Sequence, residues 1–115
     1  MKEAKYIWMD GKLVNWDDAN VHILTHTLHY GNGVFEGTRA YPTSKGLAIF
    51  KLKEHTKRLL NSAKIVAIKP PFTQEELESA QVELLKQNQF SGNSSVYIRP
   101  LIYLGYGVMG LHHIK

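Results

Sequence analysis

A chain of 115 residues with 43% hydrophobic and 10% aromatic content is the size of one domain and can bury a core. It has no cysteine, which excludes a disulfide scaffold and thiolate chemistry and suits a reducing compartment, so a cytoplasmic protein is expected. Its net charge of +4 does not point to nucleic acid. The 14 basic residues are spread among 10 acids, and only Lys51-Leu52-Lys53 and Lys57-Arg58 approach a cluster.

In chain order, the first expected element is a hairpin. Tyr6-Ile7-Trp8-Met9 and Lys12 to Trp16 flank Asp10-Gly11, a pair suited to the positive φ angles of a tight turn. Asp17 to Asn20 is a polar connection, and Val21 to Tyr30 favours neither helix nor strand. Gly33 to Tyr41 alternates as one strand, with Leu47 to Lys51 as its partner across a turn at Pro42 to Gly46. From Lys53 the period becomes helical, with His55, Leu59, Ser62, Ala63 and Val66 on one stripe, and Pro70-Pro71 ends the element.

Thr73-Gln74-Glu75-Glu76 reads as a capping box that opens a second helix. That helix offers Leu77, Ala80, Leu84 and Leu85 to a core and closes near Asn88. A turn at Gly92-Asn93-Ser94 leads into a last strand, Val96 to Leu104, and glycines at 105, 107 and 110 mark a terminal loop. The sum is an α+β domain: a mostly antiparallel sheet with two flanking helices and no internal linker. No apolar run is long enough to cross a membrane, and the first residues lead into no signal-peptide core, so no membrane partner is expected.

Three groups of residues could carry chemistry. On the strand from Gly33, Phe35, Gly37 and Arg39 share one face, and Val34, Glu36 and Thr38 share the other. A ring beside a bare backbone position gives an apolar wall that a ligand can approach; a bulge at Gly37 is the plainer alternative. Tyr97 and Arg99 sit two apart on the last strand, where the guanidinium fork and the phenol suit a carboxylate, or simply line an exposed sheet face. Arg58, three residues after His55 and early in a helix, could bind a phosphate or could be merely solvated.

His22, His26 and His29 have a spacing that metal sites use. They lack an acidic partner in frame and an HExxH pattern, so no metal is expected. No nucleophile elbow, Walker loop or dinucleotide fingerprint is present.

Taken together, four stretches resemble the branched-chain amino acid aminotransferases, fold-type IV enzymes that use pyridoxal phosphate. They are Tyr6-Ile7-Trp8, His29 to Tyr41, His55 through Arg58-Leu59 to Lys64, and Tyr97-Ile98-Arg99-Pro100-Leu101. The resemblance implies that residues 1–115 are the small N-terminal domain of a two-domain subunit, with the cofactor between the domains and a dimer or hexamer as the assembly.

By position, it implies that Arg58 holds the cofactor phosphate, and that Tyr30, Phe35, Gly37 and Tyr97 line the side-chain pocket. Arg99 would receive the second carboxylate of glutamate, and Met109, Gly110 and Leu111 would pack near the neighbouring subunit's pocket. One departure is Tyr106, where many relatives carry an acid.

The implied reaction moves an amino group between leucine, isoleucine or valine and 2-oxoglutarate. The family's essential lysine falls outside these residues, so the fragment alone is expected to be inert. Two enzymes of the same fold, D-amino acid aminotransferase and aminodeoxychorismate lyase, are the nearer alternatives. A standalone phosphate-ligand or partner-binding domain is the more distant one.

Overall fold

The computed structural model describes residues 4–90 and 94–106. Its described elements are strands β1 (Tyr6–Met9) and β2 (Lys12–Asn15), a short 3-10 helix (Trp16–Asp18), helix α1 (His26–Tyr30), and strands β3 (Gly33–Phe35), β4 (Thr38–Thr43) and β5 (Gly46–Ile49). Helices α2 (Leu52–Ile65) and α3 (Gln74–Asn88) follow, then strands β6 (Val96–Ile98) and β7 (Leu101–Tyr103). Pairing is antiparallel throughout: β1 with β2, β3 with β7, and β4 between β5 and β6. The α+β architecture read from the sequence is therefore the observed one.

The opening hairpin closes through Asp10 and Gly11, whose φ angles are 53° and 95°, with Met9 paired to Lys12. Both turn residues take the left-handed region that a two-residue hairpin requires. The stretch that favoured neither state contains α1, held in place by Thr27. Its Oγ1 donates to the Asn32 carbonyl (2.9 Å) and accepts from the Leu104 N–H (2.8 Å).

The two long strands expected at 33–41 and 96–104 are each broken in the middle. The first divides into β3 and β4 at Glu36-Gly37, and the second into β6 and β7 at Arg99-Pro100. The breaks face each other. Phe35 pairs with Leu101 and Thr38 with Ile98, so one register runs through both ladders and sets Glu36 opposite Pro100. Pro100 has no N–H to give, which removes ladder bonds at that point. The Glu36 N–H still donates to the Pro100 carbonyl at 3.0 Å, keeping the halves aligned.

Pro42 also differs from expectation. It lies inside β4, paired with Leu47, and not in the turn. The strand tolerates it because β6 pairs only as far as Ala40, so β4 has an open side at Pro42.

Helix α2 covers the inner face of this sheet. Thr56, Leu59 and Ala63 form its buried stripe, and Leu59, Ala63, Ile68, Ile102 and Leu104 make up the core, with Val34, Leu60 and Val66 packed against it. The helix ends before the two prolines, at an αL residue. Ala67 has φ 60°; its N–H donates to the Lys64 carbonyl, while the Ile68 N–H reaches back to the Ala63 carbonyl at 2.8 Å. This is a Schellman closure built on alanine where glycine is usual, and it drops Ile68 into the core.

Helix α3 starts on the expected capping box, with Glu76 N–H donating to Thr73 Oγ1 and Thr73 N–H to Glu76 Oε1. Ala80 is buried, and Leu77, Leu84 and Leu85 are half-buried, as the helical spacing requires. Asn88 has a role that no local pattern announces. Its buried amide accepts from the N–H groups of Lys5 and Tyr6 and donates to the Tyr6 carbonyl, tying the end of α3 to the start of β1.

Candidate functional site

Because one register runs through β3–β7 and β4–β6, the combined ladder has two faces. The inner one carries Val34, Glu36, Thr38 and Ala40 beside Ile98 and Ile102, and it is turned toward α2. The outer one carries Phe35, Gly37 and Arg39 beside Tyr97, Arg99 and Leu101. On this face Phe35 is 58% exposed, Tyr97 48% and Leu101 56%.

The outer face holds a connected constellation. The Arg99 guanidinium carbon lies 4.2 Å from the Phe35 ring centroid and 5.4 Å from that of Tyr97. Its Nη2 donates to the Tyr97 hydroxyl at 2.8 Å. Arg39 covers the same tyrosine ring at 5.5 Å. Two cations thus flank one phenol on an apolar platform. Stacking fixes the plane of Arg99 while leaving guanidinium N–H groups for an incoming carboxylate.

Gly37 plays a different part from the one expected. The space beside its α-carbon is filled by the Tyr97 phenol, into which a Cβ at position 37 would run. The missing side chain admits the tyrosine across the ladder diagonal, so the bare backbone there is covered.

Arg58 lies on the other side of the sheet. It is the seventh residue of α2, in the second turn, so the helix start expected to assist it is a turn away. Its Nε and Nη2 donate to the two oxygens of Glu36 at 2.8 and 2.7 Å, and His55 Nδ1 meets Glu36 Oε1 at 2.9 Å. Glu36 is 7% exposed, whereas the Arg58 side chain is 66% exposed. The Arg58 guanidinium holds the Glu36 carboxyl below its ordinary value, against the opposing effect of burial, with His55 assisting. The same bond pushes Arg58 further up. Arg58 Nη1 has no partner among the described residues, so this edge of the guanidinium fits an anionic group such as a phosphate.

The structure therefore unites Phe35, Gly37, Tyr97 and Arg99, and it places Arg58 behind them. Tyr30 stands apart on α1, its exposed ring packed on His26 at 4.6 Å, and no hydrogen bond or ring contact among the described residues joins it to the outer-face group. Met109, Gly110 and Leu111 lie outside the described residues. Tyr106, the departure noted in the sequence, stacks on His22 at 4.4 Å. His29 is bound to the Ile23 carbonyl, and no group of three metal-type ligands forms among the described residues.

Glu36 and Leu101 were not singled out by the sequence. The signal for Glu36 was available: an acid on the inward face of a strand must find partners, and His55 and Arg58 sit one turn apart on a helix. A groove of about 410 Å³ between β7, β1 and α3 is lined by Trp8, Phe72, Leu84 and Tyr103, and it shares Arg99 and Leu101 with the outer face. Burial, helped by the charge of Asp10, pushes the Tyr103 phenol upward, so this hydroxyl stays neutral.

With the geometry in place, comparison with known proteins assigns the class. The family model described as amino-transferase class IV matches residues 33–112, and the chain belongs to that family. More narrowly, a branched-chain-amino-acid aminotransferase of Pseudomonas aeruginosa is 50% identical over 105 residues, covering 91% of this chain and 33% of its own length.

Two crystal structures of a T.th. branched-chain amino acid aminotransferase superpose with TM-scores of 0.86 at 49% identity, covering 96% of this chain and 36% of theirs. One is complexed with N-(5'-phosphopyridoxyl)-L-glutamate and the other with 4-methylvaleric acid. The chain thus spans about a third of the length of the relatives it matches. Among the described residues no helix is long and apolar enough to cross a membrane.

Proposed function

We propose that residues 1–115 form the small N-terminal domain of a pyridoxal-phosphate-dependent branched-chain aminotransferase. Such an enzyme exchanges the amino group between leucine, isoleucine or valine and 2-oxoglutarate. The observation that carries the reading is the outer face, where Phe35, Tyr97 and Leu101 make an apolar platform and Arg99 and Arg39 stand over it. An aliphatic side chain can lie on the rings. A glutamate side chain can lie there too and place its carboxylate on a guanidinium already turned by stacking. The arginines are exposed, so neither is stranded without a partner when the substrate is apolar. The relatives bound to a phosphopyridoxyl-glutamate and to a branched aliphatic acid support the same two ligand classes.

Pyridoxal phosphate, when bound, supplies the electron sink for chemistry at the amino acid's α-carbon. The residues of this chain bind and orient: Phe35, Tyr97 and Arg99 meet the substrate, with Gly37 seating Tyr97 and Tyr30 lining the side-chain pocket, Arg58 holds the cofactor phosphate, and Met109, Gly110 and Leu111 serve the neighbouring subunit's pocket. The lysine that moves the proton belongs to the remaining two-thirds of the subunit. Assembly as a homo-oligomer is supported by the exposed apolar side chains of Val21, Ile23, Leu24, Leu28 and Tyr30. A cytoplasmic setting is supported by the cysteine-free composition.

The test is the visible spectrum of the protein at its native length with pyridoxal phosphate. Adding L-leucine converts the bound cofactor to its amino form if the reading is right. A cofactor spectrum that ignores L-leucine and responds to D-alanine overturns the substrate assignment.

A further inference from the structure

We infer that Glu36 is a positioning residue: it turns the Arg58 guanidinium so that its outer edge is presented to the cofactor phosphate. The inference rests on the reading of Arg58 as the phosphate ligand and adds a residue that works through it.

The geometry is directional. A guanidinium has two edges that can each grip an oxyanion, one through Nε and Nη2 and one through Nη1 and Nη2. Glu36 occupies the first edge completely, at 2.8 and 2.7 Å. The plane of Arg58 is thereby fixed, and the Nη1 edge points away from the buried acid toward solvent, where the side chain is 66% exposed.

Glu36 is in turn fixed from behind by its own burial, by His55 on Oε1 at 2.9 Å, and by its backbone bond to Pro100. A flexible surface arginine would lose rotamer freedom on binding a phosphate; this one has already lost it.

Stability alone is a weak reason for the arrangement. Burying a carboxylate costs desolvation, and an ion pair with an exposed arginine returns little of it. Electrostatic competition would act against binding, because the negative charge of Glu36 repels a phosphate and competes for Arg58. Positioning and competition predict opposite signs for the same substitution.

The experiment compares the dissociation constants of pyridoxal phosphate and of pyridoxal, which lacks the phosphate, in the apo protein at its native length. The variants are Glu36→Gln, Arg58→Ala and the double substitution. Positioning predicts that Glu36→Gln weakens pyridoxal phosphate by about tenfold while leaving pyridoxal within about twofold. It also predicts that Glu36→Gln adds nothing once Arg58 is alanine.

Unchanged or tighter pyridoxal phosphate binding in Glu36→Gln overturns the inference, as does a loss that persists in the Arg58→Ala background. If Arg58→Ala itself leaves pyridoxal phosphate binding unchanged, the phosphate role of Arg58 fails first. Should Glu36→Gln not fold, Glu36→Asp replaces it: the shorter acid keeps the charge and loses the grip, and the phosphate-specific loss must still appear.

Discussion

The two faces of the β3–β4/β6–β7 ladder share one backbone and differ in almost everything else. On the inner face the side chains have fixed neighbours: Ala40 and Ile98 are buried, Ile102 joins Leu59 and Ala63, and Glu36 uses both oxygens. On the outer face aromatic and aliphatic groups stay open to solvent, and two arginines lie across them. An inward acid and outward hydrophobics reverse the usual order for a sheet with one buried face. Stability comes from the inner face and recognition from the outer, and that division is what substitutions can attack.

The largest expected effect tests the inner face. Leu59→Ala leaves a cavity among Ala63, Ile68 and Ile102 and should cost about 3 kcal/mol, read as a lower urea midpoint of the native-length protein. Leu101→Ala on the outer face should stay within about 0.5 kcal/mol and instead weaken L-leucine binding. Equal destabilisation by the two would break the comparison.

Ala67→Gly comes next. It relieves an L-residue held at φ 60° next to the core residue Ile68 and should stabilise by about 1 kcal/mol, seen as a raised midpoint.

The acid limb separates the faces by pH. Glu36 titrates below its ordinary value when folded, chiefly through Arg58. Its contribution is therefore complete above the unfolded carboxylate value and is lost as pH falls through the lower folded one. Glu36→Gln should flatten that part of the stability profile, whereas changes at Arg99 should leave it as it is.

The smallest expected effect on stability is at Gly37. In Gly37→Ala the new methyl meets the free end of the Tyr97 side chain, which can swing into solvent, so stability should move by under about 0.5 kcal/mol. The KM for glutamate should rise, because Arg99 loses the hydroxyl that holds it.

The hairpin at Asp10-Gly11 and the capping box at Thr73–Glu76 were legible because each is a local rule written in adjacent residues. The outer-face group was legible for a similar reason: alternation alone puts Phe35 with Gly37, and Tyr97 with Arg99. Their mutual contact depended on register between strands sixty residues apart, which the alternation of neither strand contains. The strand breaks depended on Pro100 facing Glu36, again a matter of pairing. The end of α2 was assigned to Pro70-Pro71 because alanine carries no αL signal, and Ala67 provides the stop earlier. Asn88 escaped notice because its partners are at the opposite end of the chain.

The central claim is that one outer face serves both an aliphatic and an acidic substrate, with Arg99 speaking only to the second. The direct measurement is the single-turnover amino transfer to pyridoxal phosphate in Arg99→Met, at native length, from L-leucine and from L-glutamate. Dual recognition predicts a loss of about tenfold or more for glutamate and a change within about twofold for leucine. Equal losses for both substrates, or none for either, would contradict it.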